Sequence, residues 1–191
     1  MVQITTTRIG IILMALTMVV GPWFSPPGFD WVRHTTSEQA GQLTAGAYLM
    51  RFGFVALGLG IFIDALEVAK RRQWANSLFL VFGLAMILVA AFSTRPIDLT
   101  LTYDLTDDWL HSFFATLMGF AFGFGVGWRM IYMRAPLELT LSGLAALASI
   151  VLPLLMWQMP DYAGVWQRLM FGISFVWFWL YLPPAPSAVN R

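Results

Sequence analysis

Long apolar stretches separated by short polar ones leave this chain few ways to fold. A helix that crosses a bilayer needs about 20 mostly apolar residues, each rising roughly 1.5 Å. Six stretches meet or approach that length: Ile9–Phe24, Ala45–Val68, Ala75–Thr94, Leu110–Met133, Leu137–Trp157 and Val165–Leu182. They are continuously apolar, without the alternation of a lipid-facing barrel strand, so helices are expected. Composition agrees: 59% of the 191 residues are hydrophobic and only 11% charged, against about 25% charged in an ordinary soluble domain. The expectation is an all-α, polytopic membrane bundle of six transmembrane helices. It forms one domain over residues 1–191, with two long outer loops and no large soluble domain.

Lys and Arg set the orientation. Arg8, Lys70-Arg71-Arg72, Arg129, Arg134 and Arg191 fall on one side of the expected membrane. The other side has Arg33 and Arg95, with Arg51 and Arg168 near helix ends. It also takes Asp30, Glu38, Asp98, Asp104, Asp107, Asp108 and Asp161. Both termini are therefore expected in the cytoplasm, with the protein in the plasma or inner membrane. The first apolar stretch continues into Gly21-Pro22-Trp23-Phe24-Ser25-Pro26-Pro27. No A-x-A pattern of small residues follows, so an uncleaved anchor is expected. Trp23, Trp166, Trp177 and Trp179 suit the headgroup boundary.

The chain has no cysteine, which excludes disulfides, thiolate catalysis and Cys-ligated metals. A net charge of +1 gives no reason to propose nucleic acid as a partner. The long connections, Ser25–Thr44 and Arg95–Trp109, fall on the same outer side. In the first, Thr35-Thr36-Ser37-Glu38 carries a capping box, so a short helix is expected there, with Gly41 as its stop. In the second, residues Asp98–Tyr103 alternate, as in a short strand or an extended crossing. Gly119, Gly123 and Gly127 form a doubled G-x-x-x-G ridge, expected to serve close helix contact within the bundle, with a dimer face as the alternative. Pro153 is expected to bend the fifth helix. The aromatic run Phe175–Tyr181 is expected to leave at least one ring face toward lipid or another protein.

Three blocks point to a family. They are Ser25-Pro26-Pro27-Gly28-Phe29-Asp30-Trp31-Val32-Arg33-His34-Thr35-Thr36-Ser37-Glu38 with Leu49-Met50-Arg51-Phe52-Gly53-Phe54, then Asp107-Asp108-Trp109-Leu110-His111, then Gly164-Val165-Trp166-Gln167-Arg168. Together they resemble an uncharacterised group of prokaryotic membrane proteins, the family called domain of unknown function 998. The resemblance implies a six-helix integral membrane protein and carries no established activity.

The candidate ligand-binding residues are Arg51, Arg168, His34, His111 and Asp108. His34 and Glu38 share a helix face at i,i+4, and Asp108 and His111 share one at i,i+3. His34, Glu38, Asp108 and His111 have the donor types of a zinc site. Each also has a structural explanation: Glu38 in the capping box, Asp107 and Asp108 at a helix start capped by Thr106, His111 on a loop carbonyl. Without a metal signature, zinc is not expected, and no cofactor is assigned. Arginine inside a spanning segment costs at least ~2.5 kcal/mol at mid-depth. Arg51 and Arg168 are therefore expected to pair with Asp30, Asp107 or Asp161, or else to hold an anionic headgroup with their guanidinium forks. Asp64 reads as an interfacial acid or an ion site, and Glu67 as an i,i+4 partner of Arg71.

No catalytic motif stands out. The reading is an accessory or assembly subunit of a membrane complex, or a binder of lipid-like molecules at the outer face. Its partners would be membrane lipids and other integral membrane proteins, met through aromatic and glycine-rich helix faces. The alternatives are a metal-assisted lipid hydrolase or transferase at the outer boundary, and a small transporter.

Overall fold

The computed structural model describes residues 4–70 and 76–182. Among them are seven α-helices and no strand: α1 (Thr6–Val20), α2 (Thr36–Gln39), α3 (Ala47–Lys70), α4 (Ser77–Ala91), α5 (Leu105–Met130), α6 (Pro136–Gln158) and α7 (Ala163–Tyr181). Four segments are long and apolar enough to cross a membrane: Thr6–Phe24, Ala47–Ala69, Leu105–Met130 and Pro136–Gln158. The first joins α1 to the 3-10 turn Gly21–Phe24. Helix α4 is apolar but has 15 residues, and α7 has 19.

The boundaries follow from caps. Helix α5 starts at Leu105, five residues before the expected Leu110, because the Asp104 carboxylate accepts from the N–H groups of Thr106 and Asp107. Asp104, not Thr106, is the cap. Helix α2 carries the complete Thr35/Glu38 capping box. The Asp98–Tyr103 stretch forms no strand; it turns, with the Asp98 carboxylate accepting from the Thr100 N–H at 2.9 Å and hydroxyl at 2.7 Å. Arg71, Arg72 and Arg191 lie outside the described residues, and with them the expected Glu67–Arg71 pair.

Around the bundle α1 packs on α3, α3 on α4, α4 on α5, α5 on α6 and α6 on α7, and α7 returns to touch α1. Two close approaches depend on glycine. A Cβ on Gly10 would lie 2.6 Å from the Ala56 carbonyl oxygen, which sets the α1–α3 distance. Gly58 and Gly83 face each other between α3 and α4, and a Cβ on either would be 2.7 Å from the other's carbonyl oxygen. The 119/123/127 ridge works differently from expectation. A Cβ on Gly119 or Gly127 would meet nothing within 4 Å, and only Gly123 has a neighbour, the Ser149 hydroxyl. The stripe opens space instead of closing a contact.

Between the helices lies an aromatic plug. Phe79 stands 5.2 Å from Trp177, Phe82 is 5.0 Å from Phe178, and Phe122 is 5.3 Å from Phe178, ring centre to ring centre. Such pairs contribute about 0.5–1.5 kcal/mol each beyond their burial. Trp177 and Phe178 are thus core, not boundary or lipid-facing residues. The outward stripe of α7 is Leu169, Gly172, Val176 and Leu180, so the ring-bearing surface expected there is absent from that stripe. The exposed aromatic ladder is on α5 instead, at Trp109, Phe113, Phe120, Phe124 and Trp128.

The two ends of the bundle are chemically distinct. At the end holding the start of α1, Asp64 is buried and accepts from the Thr6 hydroxyl at 2.7 Å and the Thr7 N–H at 2.8 Å. It caps α1 from a neighbouring helix. Arg129 donates there to Asn76 and to the Tyr181 carbonyl, and Arg8 to the Trp179 carbonyl. Both long loops lie at the opposite end, called here the loop end.

Candidate functional site

At the loop end, the first loop is fastened to the start of α7. The N–H groups of Gly164 and Val165 donate to the carbonyls of Arg33 and Val32. Gly164 is required: a Cβ there would lie 2.5 Å from the carbonyl oxygens of both Trp31 and His34. Arg168, one turn on, donates from Nη1 to the carbonyls of Trp31 (2.9 Å), His34 (2.8 Å) and Gly164 (3.0 Å). The Trp31 ring lies 4.5 Å from its guanidinium carbon. Backbone oxygens and a ring face therefore hold this buried cation, where carboxylates were expected. Asp161 is paired with Arg33 instead, at 2.6 Å in an exposed salt bridge.

Arg51 is held in the same manner. Its Nε and Nη2 donate to the carbonyls of Ala40 (2.9 Å) and Gly41 (3.1 Å). Those carbonyls close α2, so Arg51 fills the role of a C-terminal cap with its whole side-on fork. The Nε/Nη2 edge of the guanidinium is thereby committed to the loop backbone. The hydrogen bonds of Arg51 and Arg168 go to backbone acceptors and not to the expected Asp30, Asp107 or Asp161, although Asp107 is the opposing charge near Arg51.

The second loop is tied in by Gln42. Its side-chain amide donates to the carbonyls of Ser93 and Asp104, both at 2.9 Å, and accepts from the Asp104 N–H at 2.8 Å. Its own N–H donates to the Thr94 carbonyl. Asp108 accepts from the Thr94 hydroxyl and the Arg95 N–H, both at 2.8 Å. His111 is buried, with Nδ1 between the carbonyls of Val89 (3.1 Å) and Phe92 (2.9 Å). Two acceptors at one nitrogen place the hydrogen on Nδ1. His34 accepts at Nδ1 from the Asp30 N–H at 2.8 Å and stacks on Phe29.

His34 and His111 thus lie at the same end but serve different loops. Glu38 Oε2 is taken up by the N–H and hydroxyl of Thr35. Among the described residues, no group of three or more His, Cys, Asp or Glu side chains is placed to hold a metal ion. His34, Glu38, Asp108 and His111 are each engaged in separate loop-fastening contacts.

A groove of about 540 Å³ between α5, α6 and α7 has room for a ligand. Pockets of about 300–1,000 Å³ take small organic ligands. Phe54, Met86 and Phe171 form its back wall, while Gly119 and Gly123 on α5 and Ser149 on α6 hollow its sides. Phe120, Phe124, Ile150 and Leu154 stand exposed at its rim. No lining residue is charged.

Its polar end is built by Ser37 of α2 and Gln167 of α7. Gln167 Oε1 accepts from the Thr36 N–H (2.7 Å) and hydroxyl (2.6 Å), and Nε2 donates to the Ser37 hydroxyl oxygen at 3.3 Å. The other two hydroxyls of the wall, Thr116 and Ser149, donate to carbonyls of their own helices. Neither Ser37 nor Gln167 stood out in the sequence as a site residue. The one available signal was a glutamine beside an arginine inside an apolar run.

Helices of this length and apolarity, packed in one bundle with polar loops at one end, define a multi-pass membrane protein. Within that class the chain belongs to the family described as protein of unknown function (DUF998), whose model matches residues 8–182. No curated protein and no solved structure matches it.

Proposed function

We propose that this protein binds a lipid-like molecule, holding one hydrocarbon chain in the groove between α5, α6 and α7. The groove itself carries the reading: it is uncharged, apolar along its length and polar at one end. Its α5 wall runs from Ala115 to Phe124, and at 1.5 Å per residue that is about 14 Å. One leaflet of a hydrocarbon core about 30 Å thick has the same depth. The exposed rim on α5 and α6 gives a chain sideways access from the bilayer.

In the proposed setting, all six long helices span the membrane. Helix α4 is short, but Phe92–Thr94 continue its path toward the loop end, with Phe92 in extended form. The loop end faces outward and both termini lie in the cytoplasm of a plasma or inner membrane, as the placement of Lys and Arg favours.

The test is retention of lipid through purification in mild detergent, followed by native mass spectrometry. Gly119→Leu is the informative variant. A Cβ at this position enters open space, and replacing a mid-helix glycine favours the helix by about 1 kcal/mol. The expected result is a folded protein whose bound lipid is lost. Lipid retained equally by Gly119→Leu and the parent protein refutes the groove as its site.

A further inference from the structure

The polar end of the groove holds more donors than it uses, and this identifies the head chemistry of the occupant. Gln167 is 8% exposed and lines the groove. Its Oε1 is committed twice to Thr36, but Nε2 carries two hydrogens and donates one bond, to Ser37. The Ser37 oxygen accepts that bond, and among the described residues its own hydrogen has no acceptor. Two adjacent N–H and O–H donors are therefore available at the head of an apolar trough. A carbonyl oxygen with two lone pairs would accept from both donors, whereas an ammonium, which has donors only, would answer neither.

The absence of charge on the groove wall decides between kinds of carbonyl. A free carboxylate here would be desolvated without a lining cation, at a cost of several kcal/mol. Arg51 has its Nε/Nη2 edge on Ala40 and Gly41, and Arg168 turns Nη1 to the first loop with Glu38 as the opposing charge, its Nε and Nη2 buried without a partner among the described residues. Neither lines the groove. A neutral ester carbonyl bears no such cost.

We infer that the occupant is an ester-linked acyl chain of a bilayer lipid, with its ester carbonyl accepting from Gln167 Nε2 and the Ser37 hydroxyl. This rests on the groove being a lipid site. The two ideas separate experimentally by supplying the purified full-length protein with diacyl-phosphatidylcholine or with its dialkyl-ether analogue. These lipids share headgroup and chain length and differ in the carbonyls. Retention is read by native mass spectrometry in competition.

The expected result is a preference for the ester lipid of about 3- to 10-fold, the value of a net hydrogen bond or two. Gln167→Glu keeps an acceptor for Thr36 but removes the Nε2 donors, and should abolish the preference. Ser37→Ala, which leaves the Thr36–Gln167 bonds intact, should reduce it. Equal retention of ester and ether lipid by the parent protein, with both lost in Gly119→Leu, overturns the head assignment while leaving the groove. A free fatty acid that displaces the ester lipid overturns the neutral-head assignment. Retention of neither phosphatidylcholine overturns both readings.

Discussion

Arginine in this protein is a backbone ligand. Arg168 satisfies three carbonyl oxygens with one nitrogen, and Arg51 closes the end of α2 with two. A carbonyl stripped of its donor in a buried site costs about 1–3 kcal/mol. Arg168→Met should therefore lower stability in detergent by roughly 2–4 kcal/mol, read as a fall in thermal midpoint. Arg33→Ala, which breaks the exposed pair with Asp161, should change it by less than about 1 kcal/mol. If the two variants melt alike, the buried carbonyl cluster is not a stabilising feature.

Asp98 offers a pH prediction at the same scale. Its carboxyl titrates below the ordinary aspartate value because the Thr100 hydroxyl, and then the Thr100 N–H, donate to it. A lowered folded value means that the turn's contribution is complete above the unfolded value and disappears as the pH falls through the folded one. Thr100→Ala should raise the midpoint of the Asp98 titration followed by NMR. An unchanged midpoint would show that the hydroxyl is not the cause.

Among the helices, glycine has two opposite uses. Gly58 and Gly83 let α3 and α4 touch, whereas Gly119 and Gly127 on α5 face open space. Gly58→Leu should therefore disrupt the bundle by more than about 3 kcal/mol, through overpacking against backbone. Gly127→Ala should be neutral or stabilising by up to about 1 kcal/mol. Thermal unfolding of the two variants in the same detergent checks the contrast. The G-x-x-x-G spacing was visible in the sequence, but its use was not. The same spacing serves a tight contact or a hollow, and the choice depends on which face the helix turns inward. Caps were easier to read: the Thr35–Glu38 box gave α2 directly, because its hydrogen bonds are local. Nothing local in the sequence marks Asp104 above Thr106 as the cap of α5. Side-chain partners of Arg51 and Arg168 were out of reach, because the deciding acceptors are carbonyls, which every residue has.

For the whole molecule, charge bookkeeping placed the two long loops and both histidines at one end, and the bundle has them there. The cavity was not legible. It arises from helices far apart in the chain, and its polar end joins Ser37 to Gln167 across the first loop. Sidedness can be tested on an otherwise native background because the chain has no cysteine. Single substitutions Leu101→Cys at the loop end and Glu138→Cys at the other should react with a membrane-impermeant maleimide from opposite sides of sealed cells. Leu101→Cys should label without permeabilisation and Glu138→Cys only after it. Labelling of both from outside contradicts the arrangement.

In the proposed setting, the exposed rim of Phe120, Phe124, Ile150 and Leu154 opens the groove into hydrocarbon rather than water. A guest using it arrives by lateral diffusion, and occupancy follows mole fraction in the surrounding leaflet. Diluting vesicles in buffer should leave the protein loaded, while exchanging the host lipid should empty it.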